Sequence, residues 1–207
     1  RITSLLEPIK PYVTLVRMAI DPVNFTRAIE HAKVIKELGF EVGFNVMYMS
    51  KWNEYPEIFT SLSKLDGLVD YFYMVDSFGS VMPEDVINII TELKKATSVK
   101  IGFHGHNNME LALINTITAV HHGASIVDST ILGMGRGAGN LSTELLMVYL
   151  TSQKGTPVEF TKLAGLSESF NELKTFYKWG TSLPYMVFNG YLKYTDHLSL
   201  GSSVTNA

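Results

Sequence analysis

Residues 99–144, VKIGFHGHNNMELALINTITAVHHGASIVDSTILGMGRGAGNLSTE, carry the two patterns that decide the fold. The first is an apolar run, Val99–Phe103, which predicts a buried strand and leads into a His-Gly-His sequence. Side chains two positions apart on a strand share a face, so His104 and His106 point the same way from the strand end. Two imidazoles at this separation can bind one divalent ion. The alternative is that one histidine packs in the core and the other lies in a loop.

The other pattern is a second buried strand, Ala124–Leu132, that leads into the glycine-rich segment Gly133–Asn140. The residues between the two strands predict a helix of about 14 residues that begins near Asn107 and ends at Gly123. Alternating glycines let the backbone approach a ligand closely, so the segment is typical of a loop shaped around a bound molecule. The residues that we expect to contact a substrate there are Gly135, Arg136 and Gly137.

The preceding part of the chain repeats this alternation of strand and helix. Apolar runs predict strands that start roughly 30 residues apart, which is the spacing of parallel βα units. Pro22, Pro56 and Pro83 lie in the first turns of the helical patterns that follow them. With the two strands above, this makes five, and the first three are Tyr12–Ala19, Phe40–Met47 and Leu68–Val75.

A polar side chain lies near or just after the end of each of these three strands. A barrel or an open α/β sheet builds its site at this edge. Arg17 is predicted either to hold an anionic substrate or orient an acid, or to form a salt bridge inside the barrel, since an unpaired charge there is costly. Asp76 either acts in the site or caps its own loop, and Asn45 is expected to contact the substrate.

Composition narrows the class of protein. The chain has 207 residues, 46% of them hydrophobic, which suffices for one compact core. A net charge of −3 without a basic stripe argues against a nucleic-acid partner. The lack of cysteine excludes disulfides and thiolate metal sites and fits a reducing compartment. No apolar run reaches the roughly 18 residues of a membrane span and no signal peptide is visible, so we expect a cytoplasmic protein without membrane contact.

Taken together, the His104–Asn108 and Gly133–Asn140 motifs resemble the last two barrel strands of the HMG-CoA-lyase-like metal-dependent aldolases and lyases, or DRE-TIM metallolyases. Within that group the likeness is closest to the 4-hydroxy-2-oxovalerate aldolases and related aldolases, over about residues 12–150. The resemblance implies an α/β fold, a (β/α)8 TIM barrel of which this chain carries about the last five βα units. It also implies Mn2+ or Mg2+ at the carboxyl ends of the strands, with His104 and His106 as ligands and Asn140 near the metal or bound to it.

The activity that this resemblance implies is retro-aldol cleavage of a 4-hydroxy-2-oxo acid to pyruvate and an aldehyde, a carbon–carbon lyase reaction. The family's first strand carries the Asp that completes the metal site, an Arg that stabilises the enolate and, in the oxovalerate aldolases, a nearby His base. None of these has a counterpart among the five strands here. Two alternatives stay open: a Claisen-type acyltransferase similar to isopropylmalate or homocitrate synthase, and a barrel that binds a metal or ligand without catalysis.

Two regions are predicted: residues 1–150 as the partial TIM-barrel aldolase or lyase domain, and residues 151–207 as a C-terminal helical, aromatic-rich segment packed on the barrel. Within the latter, an apolar stripe over Val158–Tyr177 predicts a helix that packs in the core. The aromatic stretch Lys178–Tyr194 is predicted to cap the barrel, contact a second subunit or receive a partner. Bacterial oxovalerate aldolases dock an aldehyde dehydrogenase through their C-terminal part. The short tail here does not indicate that partner, and a homo-oligomer stays open.

Overall fold

The computed structural model describes residues 2–187 of the chain. Its centre is one parallel sheet whose five strands lie side by side in chain order. The strands are β1 (Leu15–Ile20), β2 (Glu41–Val46), β3 (Tyr71–Asp76), β4 (Lys100–Gly105) and β5 (Ile126–Val127). The α-helices of this described part are α1 (Ile2–Leu6), α2 (Phe25–Glu37), α3 (Glu57–Thr60), α4 (Pro83–Ala96), α5 (Ala112–His121), α6 (Thr143–Lys154), α7 (Phe160–Ser169), α8 (Asn171–Tyr177) and α9 (Leu183–Tyr185). The predicted alternation of parallel strands and helices is therefore confirmed.

The core lies between one face of the sheet and the helices that follow its strands. Strand side chains alternate between two faces, and on one face of β2, β3 and β4 they are large, apolar and fully buried. The ring of Phe25 on α2 meets the ring of Phe44 edge-on, with centroids 5.9 Å apart. The opposite face of the sheet receives no helix from this cluster and carries polar side chains.

The last predicted strand is much shorter than expected. Only Ile126 and Val127 pair with β4, because the amide of Asp128 makes one further bond to Phe103 and the chain then turns away. The amide of Thr130 bonds instead to Leu141, beyond the glycine-rich segment. The backbone groups that would have extended β5 therefore hold the glycine-rich loop in place.

Helix α5 also begins later than predicted, at Ala112. The amide of Asn107 donates to the carbonyl of Gly139 in the glycine-rich loop, and Glu110 has a left-handed backbone with φ of 58°. Both features are incompatible with a regular first helical turn. The helix predicted from the pattern that begins near Pro56 is likewise split, into α3 and a 3-10 turn over Leu62–Leu65.

The stripe over Val158–Tyr177 does not pack in a core, so that prediction is wrong. The segment forms two helices, α7 and α8, and neither contains a buried residue. Phe160, Leu166 and Leu173 are between 42% and 46% exposed. The stripe lacks a facing layer because these helices meet the rest of the chain mainly at the turn after β5.

Beyond α8, a buried tryptophan anchors the chain to the turn after β5. Trp179 is 6% exposed and its indole N–H donates to the carbonyl of Leu132 over 2.9 Å. Of the aromatic stretch Lys178–Tyr194, the part from residue 188 onward lies outside the described residues. Within residues 2–187, no helix has the length and apolar character needed to cross a membrane.

One carboxylate at the amino end of the sheet joins three elements. Asp70, just before β3, accepts two hydrogen bonds from Lys36 on α2, at 2.8 and 2.7 Å, and one from the amide of Val42 on β2 at 2.7 Å. Burial raises the pKa of Asp70, but the bonds from Lys36 and Val42 outweigh it and lower the pKa overall. Asp70 is therefore ionised at neutral pH and stabilises the folded state.

We expect Asp70→Asn to lower the free energy of unfolding at pH 7 by about 1–3 kcal/mol, the usual value of hydrogen bonds to a charged group. Urea denaturation of the intact protein measures it. Glu30→Gln is the matched control: it removes a carboxylate from an exposed pair with Lys33, and little change is expected.

The difference in stability between the wild type and Asp70→Asn should depend on pH in a defined way. Because the folded pKa of Asp70 is lowered, its stabilisation is complete above the ordinary aspartate pKa of about 4 and is lost as the pH falls through the folded value. The difference between wild type and Asp70→Asn should therefore shrink on acidification. A difference that stayed constant down to a pH of about 2 would contradict this assignment.

Candidate active site

The polar side chains of the sheet face opposite the helices converge on a pocket at the carboxyl ends of the strands. Its volume is about 430 Å³. Its lining residues come from the ends of β1 to β4 and from the segments after β2, β3, β4 and β5. They are Ala19, Asn45, Met47, Tyr48, Val75, Ser77, His104, His106 and Arg136.

The two predicted histidines lie together in this pocket, and their ring centroids are 5.3 Å apart. Nδ1 of His104 is 2.8 Å from a carboxylate oxygen of Asp128. Burial raises the pKa of Asp128, but hydrogen bonds from His104 and Arg17 outweigh it and lower the pKa overall. An ionised carboxylate only accepts hydrogen bonds, so Nδ1 of His104 carries a proton and Nε2 is the ring nitrogen left for a metal ion.

His106 is held in its neutral form. Burial lowers its pKa to about 3, and the charges of His104 and Arg136 act in the same direction. A neutral imidazole is the form that can bind a metal ion, so metal binding by this histidine at neutral pH would release no proton.

Arg17 crosses the floor of the pocket from β1 to Asp128. Its Nη1 and Nη2 donate to the two oxygens of Asp128 over 2.9 and 2.5 Å, and its Nε donates to the side-chain oxygen of Asn45 over 3.0 Å. A salt bridge was one of the alternatives that the sequence allowed for Arg17. Its partner is an acid that contacts His104, so the bridge also orients an acid, as the other alternative included. Through Asp128, the arginine acts on the orientation of His104.

The floor of the pocket is flat because two strand positions beneath it, Gly43 and Gly102, are glycine. The guanidinium carbon of Arg17 lies 3.8 Å above the centroid of the Tyr73 ring. A Cβ atom at Gly102 would lie 2.5 Å from that ring, and a Cβ atom at Gly43 would lie 2.8 Å from Cγ of Arg17. Tyr73 and Arg17 can therefore lie across the sheet only where these neighbours are glycine.

Asn140 lies at the end of the glycine-rich loop, in an isolated bridge with His106. Its amide nitrogen donates to the carbonyl of Met134 over 3.0 Å, and a Cβ atom at Gly135 would lie 2.6 Å from that nitrogen. The side-chain oxygen is buried and has no hydrogen-bond partner in the described part of the chain. A buried amide oxygen without a partner costs free energy, and a metal ion is one way to satisfy it.

The structure turns Asp76 away from the pocket. It is the last residue of β3, and strand alternation directs its side chain to the helix-facing side, where it is 1% exposed. Its carboxylate accepts hydrogen bonds from the amides of Ser80 and Val81 over 3.1 and 3.4 Å. The loop-capping alternative therefore describes Asp76, and the expectation that it acts in the site is corrected.

The glycine-rich loop reaches the pocket through Arg136. Its Nη2 donates to the carbonyl of Ser77, after β3, over 2.9 Å. Gly135 packs against Asn140, and a Cβ atom at Gly137 would meet the ring of Tyr185 at 3.3 Å. Neither glycine lines the pocket, so of the three predicted contacts in this loop only Arg136 reaches it.

Several residues of the site were not predicted from the sequence. Asp128 is the single acid of a buried strand, which was a signal that could have been used. Tyr73 could have been found from strand alternation, since it lies two residues before Val75 on the same face. Tyr48 and Ser77 gave no signal, because their placement depends on a left-handed turn and a loop.

The donor set fits a divalent ion. His104 and His106 offer imidazole nitrogens, and Asn140 offers an amide oxygen next to them. Among residues 2–187, however, no group of three or more His, Cys, Asp and Glu side chains is arranged to hold a metal. A metal ion bound here would therefore need oxygen ligands beyond these residues, from solvent, substrate or another part of the protein.

The fold and the site together define a class: a partial TIM-barrel α/β protein whose polar residues lie at the carboxyl ends of its strands. A family model described as HMGL-like matches residues 14–169, and the chain belongs to this family. The family is dependent on divalent metal ions. The family that the sequence motifs resemble is thereby confirmed.

Curated relatives include 4-hydroxy-2-oxovalerate aldolases. That of Geobacillus thermodenitrificans is 36% identical over 159 residues, which are 75% of this chain and 46% of the relative. That of Thermomicrobium roseum is 37% identical over 139 residues, which are 67% of this chain and 39% of the relative. The chain thus spans less than half the length of these relatives.

Solved structures give the same fold. The N-terminal domain of a proposed aldolase from Bacteroides vulgatus is 51% identical, with a TM-score of 0.87 over 89% of this chain and 62% of that one. The carboxyl transferase domain of Rhizobium etli pyruvate carboxylase, with pyruvate and biocytin, is 16% identical. Its TM-score is 0.68, and the match covers 88% of this chain and 32% of that one. This second likeness concerns the fold alone.

We expect Gly102→Ala to lower the free energy of unfolding by about 1–3 kcal/mol, because the new methyl group would overlap the Tyr73 ring. Gly165→Ala is the matched control, since Gly165 lies inside α7 with open space around it. It should be neutral or raise stability by up to about 1 kcal/mol. Urea denaturation compares the two, and an unaffected Gly102→Ala variant would contradict the close stack on the pocket floor.

Proposed function

We propose that the complete protein is a divalent-metal-dependent aldolase that cleaves a 4-hydroxy-2-oxo acid to pyruvate and an aldehyde. The observation that carries the proposal is the juxtaposition of His104, oriented by Asp128, with neutral His106 and the unpartnered oxygen of Asn140. Its position at the carboxyl ends of parallel strands, in a chain of the HMGL-like family, supports a catalytic role.

In this proposal His104 and His106 hold the metal through ring nitrogens, and Asn140 holds it through its amide oxygen. When bound, a divalent ion supplies positive charge that stabilises the enolate of pyruvate as the C3–C4 bond breaks. This chain's own contribution is the orientation of the ligands and a pocket that contacts the substrate.

Asp128 and Arg17 position rather than react. Asp128 fixes the tautomer and ring orientation of His104, and Arg17 holds both oxygens of Asp128 so that the carboxylate cannot rotate. Asn45, whose side-chain oxygen accepts from Arg17, lines the pocket and is the residue of β2 that we propose to face the substrate.

Deprotonation of the C4 hydroxyl needs a general base. Within the described residues, the pocket lining contains no Asp or Glu, and this proposal uses both lining histidines as metal ligands. The base in this proposal therefore comes from elsewhere in the complete protein. A Claisen-type acyltransferase would use the same donor set, but the aldolase names of the relatives favour cleavage.

The first test is metal binding by the intact protein. We expect about one divalent ion per chain in the wild type and its loss in the double variant His104→Ala and His106→Ala, measured by elemental analysis and Mn2+ titration. The double variant His121→Ala and His122→Ala removes two histidines from the end of α5 and should keep the metal. Equal metal content in both double variants would contradict the site.

Activity then tests the reaction itself. The metal-loaded wild type should release pyruvate from 4-hydroxy-2-oxovalerate, and a chelator should abolish the release until Mn2+ or Mg2+ is restored. Metal binding without pyruvate release from any 4-hydroxy-2-oxo acid would instead favour the non-catalytic barrel.

Asp128→Asn tests the positioning role separately. We expect Mn2+ affinity to fall about 10- to 100-fold, because loss of the carboxylate frees the tautomer and orientation of His104. Asp66→Asn is the control. This carboxylate also accepts several hydrogen bonds, but its donors are Thr97 and Ser98, which lie just before β4 and away from the pocket. It should leave Mn2+ affinity unchanged, and an equal loss in both variants would show a general effect on folding.

Other expectations remain proposals. They are the choice between Mn2+ and Mg2+, a small-molecule 2-oxo acid as substrate, a cytoplasmic location, the homo-oligomeric state, and the division of the chain at residue 150.

A further inference from the structure

The pocket has two separate polar groups of residues. One is the pair of histidines with Asn140, on the side of β4 and β5. The other lies on the side of β2 and β3, where Tyr48 and Ser77 follow the strands and the guanidinium of Arg136 reaches across. A substrate whose 2-oxo acid end lies at the histidines would extend its aldehyde half toward this second group.

Ser77 holds the second group together. It is 5% exposed; its hydroxyl oxygen accepts the amide of Tyr48 over 2.9 Å, and its carbonyl accepts Nη2 of Arg136 over 2.9 Å. The backbone of one loop and the side chain of another are thus fixed by one buried residue. Such fixation lowers the entropy cost of binding a ligand between them.

The backbone of Tyr48 adds to this arrangement. It has φ of 58° and ψ of 42°, a left-handed conformation that is uncommon for a residue other than glycine. Its ring packs on Phe78, with centroids 5.4 Å apart, so the loop after β3 supports it as well. A strained aromatic residue at a pocket is a typical feature of a binding site.

The second group contains a cationic side chain. Arg136 is the one Lys or Arg among the residues that line the pocket in the described part of the chain, and no Asp or Glu lines it.

We propose that Arg136 and Tyr48 form a subsite for a carboxylate on the aldehyde half of the substrate. The preferred substrates are then 4-hydroxy-2-oxo dicarboxylic acids, which break at C3–C4 into pyruvate and an aldehyde that carries the second carboxylate. The proton of the C4 hydroxyl leaves with the base, and C3 of the enolate takes up a proton. This inference rests on the proposed aldolase function and adds the substrate class to it.

The test uses two substrates that differ only in the group under study. 4-Hydroxy-2-oxoglutarate has a carboxylate at C5 and yields glyoxylate, whereas 4-hydroxy-2-oxovalerate has a methyl group there and yields acetaldehyde. We expect the wild type to favour the dicarboxylate in kcat/KM by about 10- to 100-fold, the range of a charge-assisted hydrogen bond. Arg136→Gln should remove most of this preference.

Three further variants separate charge from structure. Arg136→Lys keeps the charge and should retain part of the preference. Tyr48→Phe should reduce it by less than Arg136→Gln does. Arg27→Gln removes an arginine from α2, outside this pocket, and should keep the wild-type ratio.

The outcomes distinguish the two proposals. If the wild type cleaves both substrates equally well, or if Arg136→Gln lowers kcat/KM for both by the same factor, the carboxylate subsite is overturned while the aldolase function stands. The second of these results would assign Arg136 to the 2-oxo acid end that the substrates share. Cleavage of neither substrate by the metal-loaded wild type would overturn the aldolase function, and this inference with it.

Discussion

The salt bridge between Arg17 and Asp128 is the contact on which the rest of the site depends. It joins β1 to the segment after β5 across the whole face of the sheet, and Asp128 passes the constraint on to His104. Both partners are partly shielded, with side chains 31% and 19% exposed, so loss of one would leave the other with an uncompensated charge. The bridge also requires the sheet beneath it to be bare, which Gly43 and Gly102 provide.

One face of the sheet forms the hydrophobic core and the other carries the pocket. Apolar side chains on the helix-facing side supply the hydrophobic stabilisation, and their order in the sequence is visible as apolar runs. The other face carries Arg17, Asn45, Tyr73 and His104, whose polar contacts add specificity of geometry rather than burial of apolar area. The role of a strand residue therefore depends on which face of the sheet its side chain occupies. Asp76 lies on the helix-facing side, whereas His104 lies on the pocket side.

The sequence predicted well whatever depends on neighbouring residues. Strand positions followed from apolar runs, and the common direction of His104 and His106 followed from their spacing. The partner of Arg17 could not be predicted, because Asp128 lies 111 positions away in the chain. The core packing predicted for α7 and α8 was wrong for a related reason. Amphipathic spacing shows which face of a helix is apolar, but it does not show whether another layer of the protein covers that face.

The glycine-rich loop links the two polar groups of the pocket, since Asn140 lies at one and Arg136 at the other, four positions apart. Its geometry must therefore be held from outside the pocket. The amide of Leu132 donates to both carboxylate oxygens of Glu144 on α6, and Glu144 also accepts the hydroxyls of Ser142 and Ser167. The carbonyl of Leu132 accepts the indole of Trp179. The C-terminal helices, which add little to the core, thus stabilise the loop that carries both the buried amide of Asn140 and the cationic side chain of Arg136.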